Sequence, residues 1–484
     1  MNKQVTEAVG DIPLVVDLDG TLIRSDTTFE LCMLHIKHRW IIGLIELFFW
    51  FSASKSEAKR KLVDRYADEI NVAHLPYSEL NGSAAYTGAR QKVLVSGSDD
   101  VLVQKIAAHV TGFAAAQGTE PGRNLLAEEK ARYLEEKFPN GFDYVGDSSA
   151  DIAVWKKARK AYGYNVSGKV EAKARDAGIT LEVLSRRAKW IKPALKGMRL
   201  HQWVKNALIG VIPFLNLPLF EPGWVPTVGL AFLSFGMMAS ATYLFNDLMD
   251  IPADRAHHRK KNRPFASGAL SIPQGAVLIG VLSVTSLILA LLLQPIFAAM
   301  LVIYTIISLA YSFVLKRVAI LDTIILAILF CWRILAGGVL LGIEANAWFM
   351  LALGFFFFAL ALGKRAIELY GKDRSETVIG RGYQAEDYML VYCAGLASSF
   401  LSVIIVAIYA LLSRSAVIEH DTAAILIVIV LTFWQTRFWL LVGRNQVHDD
   451  PIVFALKDKV SALTLACLGL IVLVEQYLRV TNGA

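Results

Sequence analysis

The sequence predicts an α/β domain followed by an all-α polytopic membrane domain of about nine transmembrane helices. Three observations carry that expectation. The 484 residues are 55% hydrophobic and only 19% charged, too apolar for one water-soluble globule. The surplus is unevenly placed: residues 1 to about 180 read as soluble, whereas from about 200 onward apolar segments of roughly 17–25 residues recur, the length that crosses a bilayer core. Within the first part, β-branched apolar runs end in aspartates or serine, the mark of buried parallel strands with polar ends.

The first of these runs is "LVVDLDGTL" (14–22), closing with Asp17, Asp19 and a Gly-Thr turn. "KVLVSGSD" (92–99) predicts a second strand ending at Ser96. "AEEKARYL" (127–134) predicts a helix starting at Lys130, and "FDYVGDSSADIAVW" (142–155) a third strand closing with Asp147 and Asp151. All these polar residues fall at or just beyond the carboxyl ends of strands, where open α/β sheets place their sites. A carboxylate attacks phosphorus only when the repulsion between the two anions is cancelled, which Mg²⁺ together with Lys130 would do. Residues 29–81 form an insert, expected to be a helical cap. Within it "WIIGLIELFFWFSASKSEAKRK" (40–61) has about a dozen apolar residues, short for a span. Two readings stand: an anchor lying in the membrane interface ahead of a Lys/Arg cluster, or an ordinary cap helix.

In order and kind, these motifs resemble the haloacid-dehalogenase phosphotransferase family over about 10–180. The resemblance implies a Rossmann-like haloacid-dehalogenase domain at 1–180 with phosphatase activity. By that likeness Asp17 is the nucleophile and Asp19 protonates the leaving oxygen and later activates water. Ser96 and Lys130 hold the transferred phosphoryl group, and Asp17, Asp147 and Asp151 hold Mg²⁺.

A basic linker at 181–197 leads into the membrane part, 198–484. Its nine expected spans are about 204–220, 226–246, 272–293, 296–315, 319–341, 347–363, 389–412, 423–443 and 459–478, the first weakened by Pro213 and Pro218. Loops on one side carry "DRAHHRKKNR", "GKRAIELYGKDRSETVIGRGY" and other basic runs, while the other side carries only Arg414 and then Arg479. That asymmetry predicts an inner (plasma) membrane protein with its basic loops and N-terminal domain in the cytoplasm. An odd number of spans would put the C-terminus outside. No cleavable signal peptide is expected, the N-terminus being short, polar and acidic. The four cysteines, Cys32, Cys331, Cys393 and Cys467, are too widely spaced for a metal cluster or disulfide framework. The net charge of +7 belongs to one membrane face and gives no reason to expect nucleic acid.

The segment "YLFNDLMDIPADRAHHRKKNRP" (243–264) concentrates the chemistry. Asn246, Asp247 and Asp250 share one helical face at the cytoplasmic end of the second span. Pro252 is expected to end or bend that helix near Ile251 and place Asp254 beyond. Ionisable residues at a membrane mouth point to function. Three carboxylates without an evident internal base partner would repel each other, and Mg²⁺ bridging to substrate phosphates relieves that. Seven of the next nine residues are Arg, Lys or His; of these Arg255, Arg259, Lys260, Lys261 and Arg263 suit phosphate oxygens. A solvated juxtamembrane loop would explain the basic run and leave the acidic face unexplained. Tyr311, Lys316, Asp322, Arg333, Lys364, Arg365, Glu368 and Arg381 repeat the polar theme on the same side.

With "RLHQWVKN" (199–206) and the "NDxxDxxxD" pattern at 246–254, residues 198–484 resemble the UbiA-type polyprenyltransferase superfamily, whose members act on isoprenoid diphosphates with Mg²⁺ at Asp247, Asp250 and Asp254. Where aromatic-acceptor members carry a second aspartate-rich loop, this chain has Lys364, Arg365, Lys372, Arg374 and Arg381. That feature resembles the decaprenyl-phosphate phosphoribosyltransferase branch. It implies substrate binding by Asn246, Arg255, Arg263, Tyr311, Lys316, Arg333, Lys364 and Arg365, with Asp247 and Asp250 catalytic. The expected function is transfer of 5-phosphoribosyl from phosphoribosyl diphosphate to polyprenyl phosphate, followed by dephosphorylation of the product in the soluble domain. The alternative is transfer of a polyprenyl group from its diphosphate to an aromatic or other acceptor, beside an independent phosphatase. A third reading makes the apolar part a mere anchor for the phosphatase, which the intact acidic run opposes.

Overall fold

The computed structural model describes residues 12–481 apart from 84, 88–89, 122, 217–221, 372–380, 413–419 and 448–450. Two compact units emerge: Met1–Met198 with Tyr243–Leu278, and Arg199–Thr242 with Ile279–Ala484.

The first unit is built on six parallel strands, β1 (Leu14–Val16), β2 (Lys92–Asp99), β3 (Ala115–Thr119), β4 (Asp143–Gly146), β5 (Lys160–Gly163) and β6 (Leu181–Val183), in the order β3-β2-β1-β4-β5-β6. Val15 pairs with Val93 on one side and with Tyr144 on the other. Alternation along the strands sends side chains to opposite faces. Val15, Val93, Val95 and Tyr144 join Leu134 and Trp155 in one core, while Leu14, Val16 and Leu94 join Leu102 and Ile106 in another. Both faces are covered, as a parallel sheet requires. Strand order reverses about β1, so the carboxyl ends of β1, β2 and β4 lie together.

Three boundaries differ from expectation. β2 runs on past Ser96 to Asp99, β6 extends the sheet into the expected 181–197 linker, and the helix after β3, Glu128–Lys137, starts before Lys130. Glu128 and Glu129 in its first turn complement the positive end of the helix dipole. The insert is helical: Thr27–Ala53, capped by Asp26, which accepts from the Thr28 and Phe29 amides, and Lys55–Tyr66, capped by Ser54. The first of these helices kinks at Trp40 (φ 52°, ψ −131°). In the 243–278 segment, the long helix Val225–Met249 stops one residue before Asp250, and Ile251–Ala256 follows with Pro252 in its first turn, the tolerated position.

Among the described residues, eight helices are long and apolar enough to cross a membrane: Val225–Met249, Ile272–Leu293, Pro295–Phe313, Leu321–Leu340, Ala347–Leu369, Ala385–Ala410, Asp421–Gly443 and Lys459–Leu478. The expected span at 204–220 is not among them. Leu200–Gly210 is a 3₁₀ helix and Val211–Asn216 a short α-helix. Lys205 and Asn206 make the start of the expected span polar, and Pro213 interrupts it further on. Residues 217–220 of that expected span lie outside the described residues. Inside the second unit, Phe357, Leu362, Trp434, Phe438 and Trp439 form one core and Phe235, Phe297, Tyr304 and Leu329 another. Gly395 leaves room for the Trp439 ring, whose Nε1 donates to Ser399 Oγ at 2.7 Å. Small residues that allow close approach are the usual basis of helix packing in lipid.

Candidate functional site

The first unit gathers its acids where the strand order reverses. β1 ends at Val16, and the Asp17 amide donates to Val145 O at 3.0 Å. Lys130 Nζ donates to Asp17 Oδ1 at 2.8 Å and to the Tyr144 hydroxyl at 3.0 Å, and it stands 3.8 Å from Asp151 Oδ1. Asp151 is pinned at a helix start: its Oδ2 accepts from the amides of Asp147 (3.1 Å) and Ser148 (3.0 Å), and its Oδ1 from Tyr144 (2.7 Å). Asp147 Oδ2 accepts from Arg187 at 2.7 Å. Asp19 accepts from the Thr27 amide at 2.8 Å and from the Ser98 hydroxyl. The buried Ser96 Oγ accepts from the Ser98 amide at 3.1 Å.

One carboxylate oxygen each from Asp17, Asp147 and Asp151 lies within 4.8 Å of the others. Burial pushes Asp17 up to about 6, opposed by Lys130; it pushes Asp19 up to about 7, aided by Asp26, and Asp147 up to about 8, aided by Asp151 and Asp17. Buried acids crowded this closely favour either a proton or a cation, and a hard, all-oxygen donor set fits Mg²⁺. Gly20 completes the turn at φ +80°, and a Cβ there would run into the Asp147 carboxylate. These residues line a cavity of about 630 Å³, to which Phe265 and Leu270 of the same unit also contribute.

The acidic run at 246–254 is arranged differently from the sequence expectation. An internal base partner exists: Arg263 Nη1 lies 3.1 Å from Asp247 Oδ1 and 2.8 Å from Asp254 Oδ2. The 3₁₀ turn Lys260–Asn262 brings the chain back far enough for this. Both carboxylates are buried, and burial raises Asp254 while Arg263 opposes it. Asp250 is half-buried at the junction of the two helices, as is Asn246 in the last turn of the first. Arg255, expected on phosphate, commits its fork to Glu30: Nη2 to Oε1 at 2.7 Å and Nη1 to Oε2 at 3.1 Å, with Nε donating to Ala266 O at 3.0 Å.

In the second unit Arg333 finds protein partners inside its span, donating to Asn206 Oδ1 (3.1 Å), Leu329 O (2.8 Å) and the Tyr304 hydroxyl (2.5 Å). A separate cluster centres on Asp322, fully buried, which accepts from Arg365 Nε (2.7 Å), Tyr383 (2.6 Å) and Arg381 Nη1 (3.3 Å). Arg365 also pairs with Glu368 at 2.6 Å, and both Arg365 and Arg381 donate to Tyr311, at 3.3 and 3.4 Å. Lys364 precedes Arg365 on the same helix, and Lys316 lies in the 3₁₀ turn Leu315–Arg317. Lys372 and Arg374 lie outside the described residues.

Sequence reasoning missed Ser98, Thr27, Tyr144 and Arg187 in the first site, Glu30 beside Arg255, and Asn206, Tyr304 and Tyr383 in the bundle. Only Ser98 carried a local signal: two residues past Ser96 on the same strand, it returns to the same face. The others are joined through the fold, Glu30 to Arg255 across 225 positions.

The profile of the UbiA prenyltransferase family matches residues 208–457, over half the chain. The protein y4nM of Sinorhizobium fredii is 37% identical over 460 residues, covering 93% of this chain and 88% of that one. So long a match extends well beyond the family segment and takes in most of the residues before it. The decaprenyl-phosphate phosphoribosyltransferase of Mycobacterium tuberculosis is 34% identical over 207 residues, 41% of this chain and 67% of that protein. A UbiA homologue from Archaeoglobus fulgidus bound to GPP and Mg²⁺ aligns at 17% identity and a TM-score of 0.46, over 58% of this chain and 99% of that chain. On the family match, the phosphoribosyltransferase relative and the helices of membrane length, the chain is a multi-pass membrane protein belonging to the UbiA prenyltransferase family.

Proposed function

We propose that the chain is a bifunctional, Mg²⁺-dependent enzyme. Its membrane part would transfer 5-phosphoribosyl from phosphoribosyl diphosphate to a polyprenyl phosphate, and the Asp17 site would remove the 5-phosphate from the product. The observation that carries the first step is the pair of guanidiniums, Arg365 and Arg381, brought together by Asp322, Glu368 and Tyr311, which a polyanionic donor would draw off their carboxylates. A prenyl diphosphate presents one charged end, whereas this donor carries a further phosphate and the lipid phosphate is a second anion, so direct cations replace carboxylates. The phosphoribosyltransferase relative supports the same substrate class.

For transfer, Asp247, Asp250 and Asp254 would hold the metal. Arg263 would move from between Asp247 and Asp254 onto the leaving pyrophosphate, whose charge grows as the C1–O bond breaks. In the soluble site Asp17, Asp147 and Asp151 would hold Mg²⁺, which supplies positive charge to the phosphoryl oxygens. Lys130 takes up further negative charge as the Asp17 carboxylate oxygen bonds to phosphorus and the ester P–O bond breaks. Asp19 gives its proton to the departing oxygen, then takes one from the water that splits the Asp17–phosphorus bond. A carboxyl pushed up to about 7 suits that exchange.

The test is mass spectrometry of the lipid product of the purified full-length chain, given Mg²⁺, polyprenyl phosphate and phosphoribosyl diphosphate. Lipid-linked ribose is expected, and Asp17→Asn should stop at the phosphorylated lipid. An unchanged product with Asp17→Asn overturns the phosphatase step. The acidic run also suits a prenyl diphosphate donor; pyrophosphate release from that donor without any ribosyl compound would favour prenyl transfer to another acceptor.

A further inference from the structure

We infer that residues 41–53 form an in-plane membrane anchor, holding the first unit against an anionic lipid surface by the outer face of one short helix. Beyond the Trp40 kink, Ile41 (72% exposed), Ile42 (58%), Phe48 (70%) and Phe49 (64%) stand in the open, as do Leu44 and Ile45. The inner side is firmly docked. Leu47 enters the core; Glu46 accepts from Arg39 at 2.8 Å and pairs with His35 Nε2 at 2.9 Å. The Trp50 ring lies 4.8 Å from that of His35, with the Arg65 guanidinium 5.0 Å above it. A helix fixed on one side with six large apolar side chains on the other has a face built for an apolar neighbour.

Charge and length identify that neighbour. Lys37 before the apolar face, and Lys55 and Lys61 after it, are exposed, the arrangement that suits acidic head groups. A second copy of this chain would bring the same cations against them. Thirteen residues rise only about 20 Å, short of the roughly 30 Å hydrocarbon layer, so the helix lies in the interface and does not cross. The eight membrane-length helices of the same chain tether it to a bilayer, which raises the effective lipid concentration without any further contact.

The experiment uses the full-length chain in nanodiscs of phosphatidylethanolamine and phosphatidylglycerol, with the four native cysteines replaced by alanine. A nitroxide at Ile45→Cys or Phe48→Cys should show an oxygen-to-nickel collision ratio matching a lipid-facing control at Leu292 and far above one at Asp68. A water-like ratio at 45 and 48 overturns the inference. So does low collision with both reagents, or dipolar broadening between labels on two copies. Should the cysteine-free chain fail to fold, a lipid-soluble carbene reagent applied to the unaltered protein should label the peptide containing 41–49. Labelling of the spanning helices alone refutes the anchor.

Discussion

Removing Asp322 offers a sharp test of the polar cluster in the helical bundle. Its carboxylate is fully buried and receives Arg365 at 2.7 Å, Tyr383 at 2.6 Å and Arg381 at 3.3 Å. Asp322→Ala leaves Arg365, whose side chain is 1% exposed, with Glu368 as its remaining carboxylate partner at 2.6 Å. Breaking a buried ion pair by removing one partner costs about 3–5 kcal/mol. Glu368 persists, so the expected loss is about 3 kcal/mol, at the lower end of that range. Arg365→Ala strands Asp322 less completely, because Arg381 and Tyr383 remain. Removing both partners should therefore cost less than the two single losses together, with a coupling of about 2 kcal/mol. The assay is reversible unfolding of the full chain in mixed micelles by SDS titration, followed by circular dichroism, for the wild type and three variants. Additivity within about 0.5 kcal/mol would refute the claim that this pair is energetically linked.

Lys130→Met should lower phosphate release from a phosphomonoester by about a hundredfold or more, because no other ammonium group is placed on Asp17 among the described contacts; an active variant would remove Lys130 from the chemistry. Gly20→Ala should abolish the same activity, since its φ of +80° is strained for alanine and the new Cβ displaces Asp147; wild-type turnover would contradict this. Asp143→Ala should destabilise the first unit by about 1–3 kcal/mol, as it removes the buried acceptor that Arg90 and the half-exposed Arg159 share, and denaturation of the full chain reads it. Burial holds Asp147 protonated up to about 8 when folded, against an ordinary 3.8. Between those values the folded state keeps a proton that the unfolded chain has released, so the stability of the chelator-treated protein falls as pH rises. Asp147→Asn should flatten that slope, and an unchanged pH series would count against the assignment.

Local pattern made three of the six strands and most membrane helices legible. Leu14–Val16 and Lys92–Asp99 were marked by Val-rich runs and Asp143–Gly146 by the acids that close it, whereas Ala115–Thr119, Lys160–Gly163 and Leu181–Val183 carried no such mark; each long apolar run past residue 225 became a helix of membrane length. In the 204–220 segment before it, total apolarity hid a local break: Lys205 and Asn206 sit at one end, and the backbone winds as 3₁₀ as far as Gly210. The acidic run was legible as a constellation, and its charge balance was not, since Arg263 returns to Asp247 and Asp254 only through a turn.

By itself, the sequence singled out the candidate residues: the acids at strand ends, the "NDxxDxxxD" run, and the cations of the basic loops. Side-chain type and short-range spacing suffice for that, because helix and strand periods are properties of a few neighbouring residues. Only the tertiary structure decided the partners. It set Arg255 on Glu30, Arg263 between two aspartates, and Arg333 among Asn206, Leu329 and Tyr304. It also left the outer face of residues 41–53 uncovered. Charge pairing and burial depend on distance in space, which folding settles by bringing together residues that lie far apart along the chain.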